Sequence, residues 1–238
     1  MEKLMYVMWG PGPEGSNSYR DELLDEILPR IRSAEGKRVS LDVDDSESVC
    51  PSPAPGPAGE DPHVAVISAW VDCYDRRAGI ETAVASMGRP FAGYRVLESL
   101  YTDYGGNQWS AKRSWPPGDR SPGISTVALI HRPAGMADDD FRAAWHGVQS
   151  PRSGEIQPRS RYVRNQVVHA VTDGAPPVDG IVEECWPSIV DVTDPMRFFC
   201  ANGDPELLTK NIDVMMESVT GCLDLARLRS STMSEYLW

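Results

Sequence analysis

The stretch Val64-Ala-Val-Ile-Ser-Ala-Trp-Val-Asp-Cys73 is the strongest strand signal in the chain. Its alternate positions sort cleanly: Ala65, Ile67, Ala69, Val71 and Cys73 are all apolar, and Val64, Val66, Ser68, Trp70 and Asp72 oppose them. A period of two with one uniformly apolar face is the signature of a strand covered by helices on that side. Pro and Gly punctuate the chain on either side of it. Upstream, residues 3–9 read as a strand ended by Gly10-Pro-Gly-Pro13, and residues 18–34 as a helix with Leu23, Leu24, Ile27, Leu28 and Ile31 on one face. Pro29 is expected to kink or divide that helix. A strand over 38–43 and a loop holding five prolines over 51–62 complete the approach. Downstream come a helix over about 75–87 and a strand over about 91–101, so the order is βαββαβ.

The same order then starts again. Residues 105–122 form a Gly/Pro/Ser-rich connector, followed by a strand over 124–131 stopped by Pro133. A helix over 137–149 carries Asp138, Asp139 and Asp140 in its first turn, where they suit the helix dipole, and Phe141, Trp145 and Val148 on one face. Strands over 161–172 and 181–186, a helical region broken near Asp194-Pro195 and Asp204-Pro205 with its last segment over 205–226, and a strand over 233–238 finish the chain. Trp9-Gly-Pro11 and His131-Arg-Pro133 fall at equivalent strand ends, which supports the register of the repeat. The expected fold is α+β: two tandem ferredoxin-like βαββαβ repeats, over 1–104 and 123–238, packing sheet to sheet as an eight-stranded barrel within one chain. A monomer suffices to build such a barrel, and a homodimer through outer strands would cover exposed edges.

Composition narrows the function. Apolar residues make up 41% of 238, enough for a sizeable core. A net charge of −12 argues against a nucleic-acid partner, because phosphate binding needs clustered Lys and Arg. No apolar run approaches the ~18–20 residues of a membrane span, and the early Gly10-Pro11 break argues against a signal peptide, so a cytoplasmic address is expected. Five cysteines without C-x-x-C and four histidines without ligand spacing indicate neither a disulfide framework nor a metal site. No glycine-rich phosphate-binding motif appears, so no nucleotide cofactor is expected.

The candidate site is the space between the sheets. If the strand registers match, Ser68, Trp70, Asp72, Glu184 and Trp186 face it; a slip of one residue exchanges Glu184 for Glu183. Strand 161–172 alternates Tyr162/Arg164/Gln166/Val168 with Val163/Asn165/Val167/His169, mixed on both faces. A space lined by aromatic side chains, a carboxylate and a histidine suits a small hydrophobic or aromatic molecule, and a desolvated Glu or His there would titrate nearer neutrality. Against this, each Trp can equally be core packing, each Glu an ion-pair member with Arg161 or Arg164, and His169 a surface residue.

The stretches Phe141-Arg-Ala-Ala-Trp145-His-Gly-Val-Gln149-Ser-Pro151, Arg161-Tyr-Val-Arg-Asn165 and Asp179-Gly-Ile-Val-Glu183-Glu-Cys-Trp186 together resemble the EthD-type proteins of the dimeric α/β-barrel superfamily. That family shows an F-x-x-x-W-x-x-x-H-x-P helix, a tyrosine-bearing second strand and a D-G-x-x-E third strand. Gln149 stands where the family's helix carries His, with His146 three residues earlier. The resemblance implies a pocket between sheet and helices, and chemistry ranging over cofactor-independent monooxygenases, polyketide cyclases, dehydratases, decarboxylases and lactone isomerases. Some relatives are stress-related proteins of unknown role, and some bind haem.

The leading expectation is an enzyme without metal or nucleotide that moves protons on a small aromatic or polyketide-like molecule. Glu184 or Glu183, His169 and then His146 are the acid/base candidates. Tyr162, Asn165 and Gln149 are the oxyanion donors, and Trp70, Trp145 and Trp186 the walls, with Asp72, His131 and Trp9 also at the site. The alternatives are a cofactor-free monooxygenase of the same pocket, a non-catalytic ligand-binding or stress-response protein, and a haem protein using His131, His146 or His169.

Overall fold

The computed structural model describes residues 1–11, 17–56, 59–104 and 113–238. Its strands are β1 (Glu2–Trp9), β2 (Lys37–Val43), β3 (His63–Val71), β4 (Phe91–Thr102), β5 (Ile124–Ile130), β6 (Arg161–Ala170), β7 (Gly180–Trp186) and β8 (Arg229–Leu237). They close into one antiparallel barrel in the order β1-β3-β2-β8-β5-β7-β6-β4. The order β4-β1-β3-β2 recurs as β8-β5-β7-β6, and the two sub-sheets join where β2 pairs with β8 and β4 with β6. Closure leaves no sheet edge to protect, which a pair of separate four-stranded sheets would have.

Helices cover the outside. In the first half α1 is made of Ser18–Glu22, a π-helical turn over Leu23–Ile27, and Leu28–Ser33, and α2 is Ala78–Ala85. In the second half α3 is made of Asp138–Ala144, a π turn over Trp145–Gln149, and Ser150–Ile156. The short α4 (Val190–Thr193) and α5 (Pro195–Phe198) precede α6 (Pro205–Thr220). The two breaks read from the sequence are N-caps: Asp194 accepts from the Met196 amide at 2.9 Å, and Asp204 from the Glu206 and Leu207 amides at 2.9 and 3.2 Å.

Two elements differ from expectation, for the same reason. Pro29 does not divide α1, and α3 continues past Gln149 to Ile156 although Pro151 follows. In each case the π turn ends one residue before the X-Pro pair, and the wider winding accommodates a ring that lacks an N–H and would clash with the preceding turn. Pro29 and Pro151 lie 122 positions apart, as do Pro11 and Pro133, so the repeat extends to the winding of the helices.

Strand β3 keeps the faces its pattern dictates. Ala65, Ile67, Ala69 and Val71 pack with Leu23, Ile27, Leu28 and Ile31, while Val66 joins Met5, Val7, Val127, Ile181 and Met233 in the lumen. In β7 the expected faces are exchanged. Ile181, Glu183 and Cys185 point into the lumen, and Val182, Glu184 and Trp186 point to the helices. Pairing fixes this: Met5 opposes Ser68 and Val127 opposes Glu183, so Glu183, not Glu184, is the counterpart of Ser68.

Candidate functional site

The lumen holds a closed ionic network. Lys3 donates to Glu98 at 2.8 Å, to the Asn165 carbonyl oxygen at 2.9 Å and to Glu183 at 3.2 Å, and the Asn165 amide donates to Glu183 at 2.7 Å. Arg161 donates to Glu235 at 2.6 Å. Burial alone would raise the Glu183 carboxyl, but Lys3 and Arg161 outweigh it and hold the group ionised. Asp42, which accepts from Ser125 at 2.7 Å, is pushed well up by burial and by Glu183 and Glu235. A polar recess of about 70 Å³ at the barrel mouth reaches Lys3, Arg161 and Trp70. Neither Glu183 nor Asn165 lines it.

The larger space lies on the other side of the second sub-sheet, under α3 and α6. This cavity measures about 260 Å³. Its floor is Thr126, Ala128 and Ile130 of β5, Val182 and Glu184 of β7, and Tyr162 of β6. Trp145 and Gln149 of the π turn close one side, and Met215, Met216 and Val219 of α6 form the roof. The Trp145 ring can approach β7 closely because Gly180 has no side chain: a Cβ there would sit 2.9 Å from Trp145 and Ile130. Met216 and Leu225 line the cavity yet are 45% and 39% exposed, which places the mouth between the end of α6 and the loop that follows.

Polar groups converge at one end of these apolar walls. Tyr162 and Glu184 are direct cross-strand partners on the same face, and Thr126 is the partner of Glu184 on its other side. The Tyr162 hydroxyl accepts from Trp145 Nε1 at 3.1 Å, donates to Gln149 Oε1 at 3.4 Å and lies 3.3 Å from Ser150 Oγ. Burial raises its pKa, so it stays a neutral donor. Arg159 stands over the Tyr162 ring at 4.0 Å, and its two terminal nitrogens reach Glu184 at 2.5 Å and Ser153 at 2.8 Å. The Arg159 side chain is 4% exposed and that of Glu184 is 21% exposed, so the carboxylate is anchored but still open to the cavity.

Among the residues singled out in the sequence, Glu184, Tyr162, Trp145 and Gln149 come together here. Glu183 and Asn165 belong to the lumen network instead. His169 is not at the site: the far end of β6 runs on to pair with Arg95, and the imidazole packs edge-on against Tyr74 at 5.6 Å. His146 lies beside Trp145 but outside the cavity, with Nε2 buried and unbonded; burial, Arg164 and Arg142 lower its pKa to about 4. Asp72 lies beyond the end of β3, exposed and paired with Lys37. Trp186 stacks on Phe198 at 4.8 Å and donates to Thr126 at 3.1 Å, a supporting position behind the floor. Trp70 sits at the barrel mouth under Arg38, Trp9 packs against the lumen core, and His131 is buried at the end of β5; none of them lines the cavity.

Arg159 and Gln157 were not legible in the sequence. They sit in the short Gln157-Pro158-Arg159-Ser160 link between α3 and β6, where no periodicity marks a face. His131, His146 and His169, the candidate haem ligands, do not line this cavity, and no group of three or more His, Cys, Asp or Glu suited to a metal ion occurs among the described residues.

No protein-family model and no curated protein matches the chain. Solved structures similar to it include the following three. An anthrone oxidase-like protein is 12% identical over 99% of this chain and 92% of its own, with a TM-score of 0.53. A candidate monooxygenase from Lactobacillus acidophilus NCFM is 7% identical over 98% and 93%, with a TM-score of 0.48. Chlorite dismutase from Candidatus Nitrospira defluvii, in complex with imidazole, is 10% identical over 98% and 90%, also with a TM-score of 0.48. The first of these likenesses is one of fold, and together with the strand order it makes the chain a dimeric-type α/β barrel built within one polypeptide.

Proposed function

We propose that the cavity under α3 and α6 is the active site of an enzyme that moves a proton on a small, flat, largely apolar carbonyl compound. The observation that carries this is the convergence of Glu184, Tyr162 and Gln149 at one end of a largely apolar space. Glu184 is the base that takes a proton from the carbon beside the carbonyl. The Tyr162 hydroxyl and the Gln149 amide, whose nitrogen makes no hydrogen bond among the described residues, donate to the developing enolate oxygen. Protonated Glu184 then returns the proton to a second atom, and the substrate decides whether isomerisation, cyclisation or loss of water follows. Arg159 positions Glu184 and, through the ring contact, Tyr162.

A second reading uses the same first step: the enolate reacts with dioxygen, which apolar walls admit. The fold shared with an anthrone oxidase-like protein makes anthrone a rational probe for both. Deuterium uptake by the anthrone methylene in D2O, followed by mass spectrometry, reads the proton step. Its oxidation in air but not under argon reads the oxygenase step. Glu184→Gln is expected to slow exchange by about 10²–10⁴-fold with binding within about threefold of wild type. Exchange at the wild-type rate in that variant removes Glu184 as the base, and binding without exchange in the wild type makes the protein a ligand carrier.

A further inference from the structure

A second cleft of about 200 Å³ adjoins the cavity, lined by Tyr101 and Thr102 of β4, Pro151, Gly154 and Glu155 of α3, and Gln157 and Arg159. Gln157 lines both spaces. The partition between them is thin: Arg159 binds Glu184 on the cavity side and borders the cleft on the other, and Tyr101 meets Tyr162 edge-on at 5.8 Å. Arg159 and Tyr162 are both locked by their partners. Gln157 is not: half-buried, it makes no side-chain hydrogen bond among the described residues. An amide that borders two spaces and is held in neither can swing between them at little cost.

We infer that cavity and cleft form one bipartite site, with Gln157 as its gate and specificity determinant. This rests on the functional reading above and names the substrate class: a flat apolar core in the cavity carrying an oxygenated, uncharged side chain that passes Gln157 into the cleft. The chemistry of the cleft selects the side chain. The Arg159 guanidinium is already shared between Glu184 and Ser153, and Glu155 contributes a negative charge, so a carboxylate tail finds no unshared cation among the described residues that line the cleft. The Tyr101 ring, the free Gln157 amide and Thr102 suit a keto or hydroxyl chain.

Gly154 offers a test that leaves the cavity alone. It lies in the last turn of α3 and lines the cleft but not the cavity. A Cβ there would be 3.3 Å from the Tyr101 ring edge, a contact that a small shift of that ring relieves. Gly154→Leu therefore fills the cleft from a backbone position that favours helix. The probes are anthrone and anthrone bearing a butanoyl side chain, titrated calorimetrically into wild type, Gly154→Leu and Gln157→Ala. The side chain is expected to improve wild-type binding about tenfold, from the apolar area it buries. Gly154→Leu should erase that gain while holding anthrone itself within about twofold of wild type, and Gln157→Ala should reduce the gain, because the amide that meets the side chain's oxygen is lost. A side chain that gives no gain in wild type, or a gain that survives Gly154→Leu, overturns the bipartite site while the cavity reading stands. Failure of anthrone and its derivative alike to bind wild type overturns both.

Discussion

Tyr6 and Ala128 occupy the same place in the two halves of the barrel. Tyr6 pairs with Ile67 as Ala128 pairs with Val182, and both point to the helices. Tyr6 is fully buried, its ring crossing Gly93, whose missing side chain makes the space: a Cβ there would be 2.8 Å from the ring. Around it, Leu4, Ala69, Leu23 and Ile27 build a solid apolar core. Their counterparts are Thr126, Glu184, Trp145 and Gln149, and the space above Ala128 is hollow. One frame thus serves two ends. Where every helix-facing position is large or aliphatic the half is scaffold, and where one ring becomes a methyl and three aliphatic positions become polar, a site opens. Both halves keep their π turn, so the turn belongs to the frame, and the residues it carries decide what it does.

The largest expected effect comes from hollowing the filled half. Tyr6→Ala should cost about 3–5 kcal/mol of stability, read from urea unfolding, because the surrounding core cannot collapse fully onto the void. A loss below about 1 kcal/mol would mean that the first half is as loosely packed as the second. Next is the stitch between halves. His63 of β3 donates from Nε2 to the Val127 carbonyl of β5 at 2.8 Å, and burial lowers its pKa to about 4 against the opposing pull of that bond. Its contribution to stability is therefore present above about pH 6.5 and is lost as the pH falls toward 4. The loss amounts to roughly 3 kcal/mol for a fully buried group. Unfolding curves at pH 7 and pH 4 should show a smaller acid loss in His63→Gln than in wild type, whatever that variant's stability at pH 7; equal losses would place the acid sensitivity elsewhere. The smallest effect expected is from filling the hollow half. Ala128→Phe should weaken anthrone binding about 100-fold, about 2.7 kcal/mol, while stability stays within about 1 kcal/mol of wild type.

The comparison also explains what the sequence made legible. Strand β3 and the Pro/Gly breaks announced the repeat because period-two patterning and backbone punctuation are local properties. Trp145, Gln149 and Tyr162 were legible for the same reason, lying at regular positions on a helix and a strand. The face of β7 was not, because Glu183 and Glu184 are chemically alike and only their pairing with Val127 and Thr126 tells lumen from cavity. His169 lies away from the cavity because β6 is long: its first residues pair with β7 and reach the cavity floor, and its last ones run past β7 and pair with β4 alone. Arg159 and Gln157 lie in a link where no period operates, so only the folded chain shows them beside Glu184.

The most direct test is a crystal structure of the protein grown with anthrone. The ligand is expected in the second half alone, its ring system under Met215 and Val219 and its oxygen within about 3.2 Å of the Tyr162 hydroxyl or the Gln149 amide. Anthrone in the lumen beside Glu183, or a second half closed over Ala128 with no ligand bound, would contradict the assignment of this cavity as the functional site.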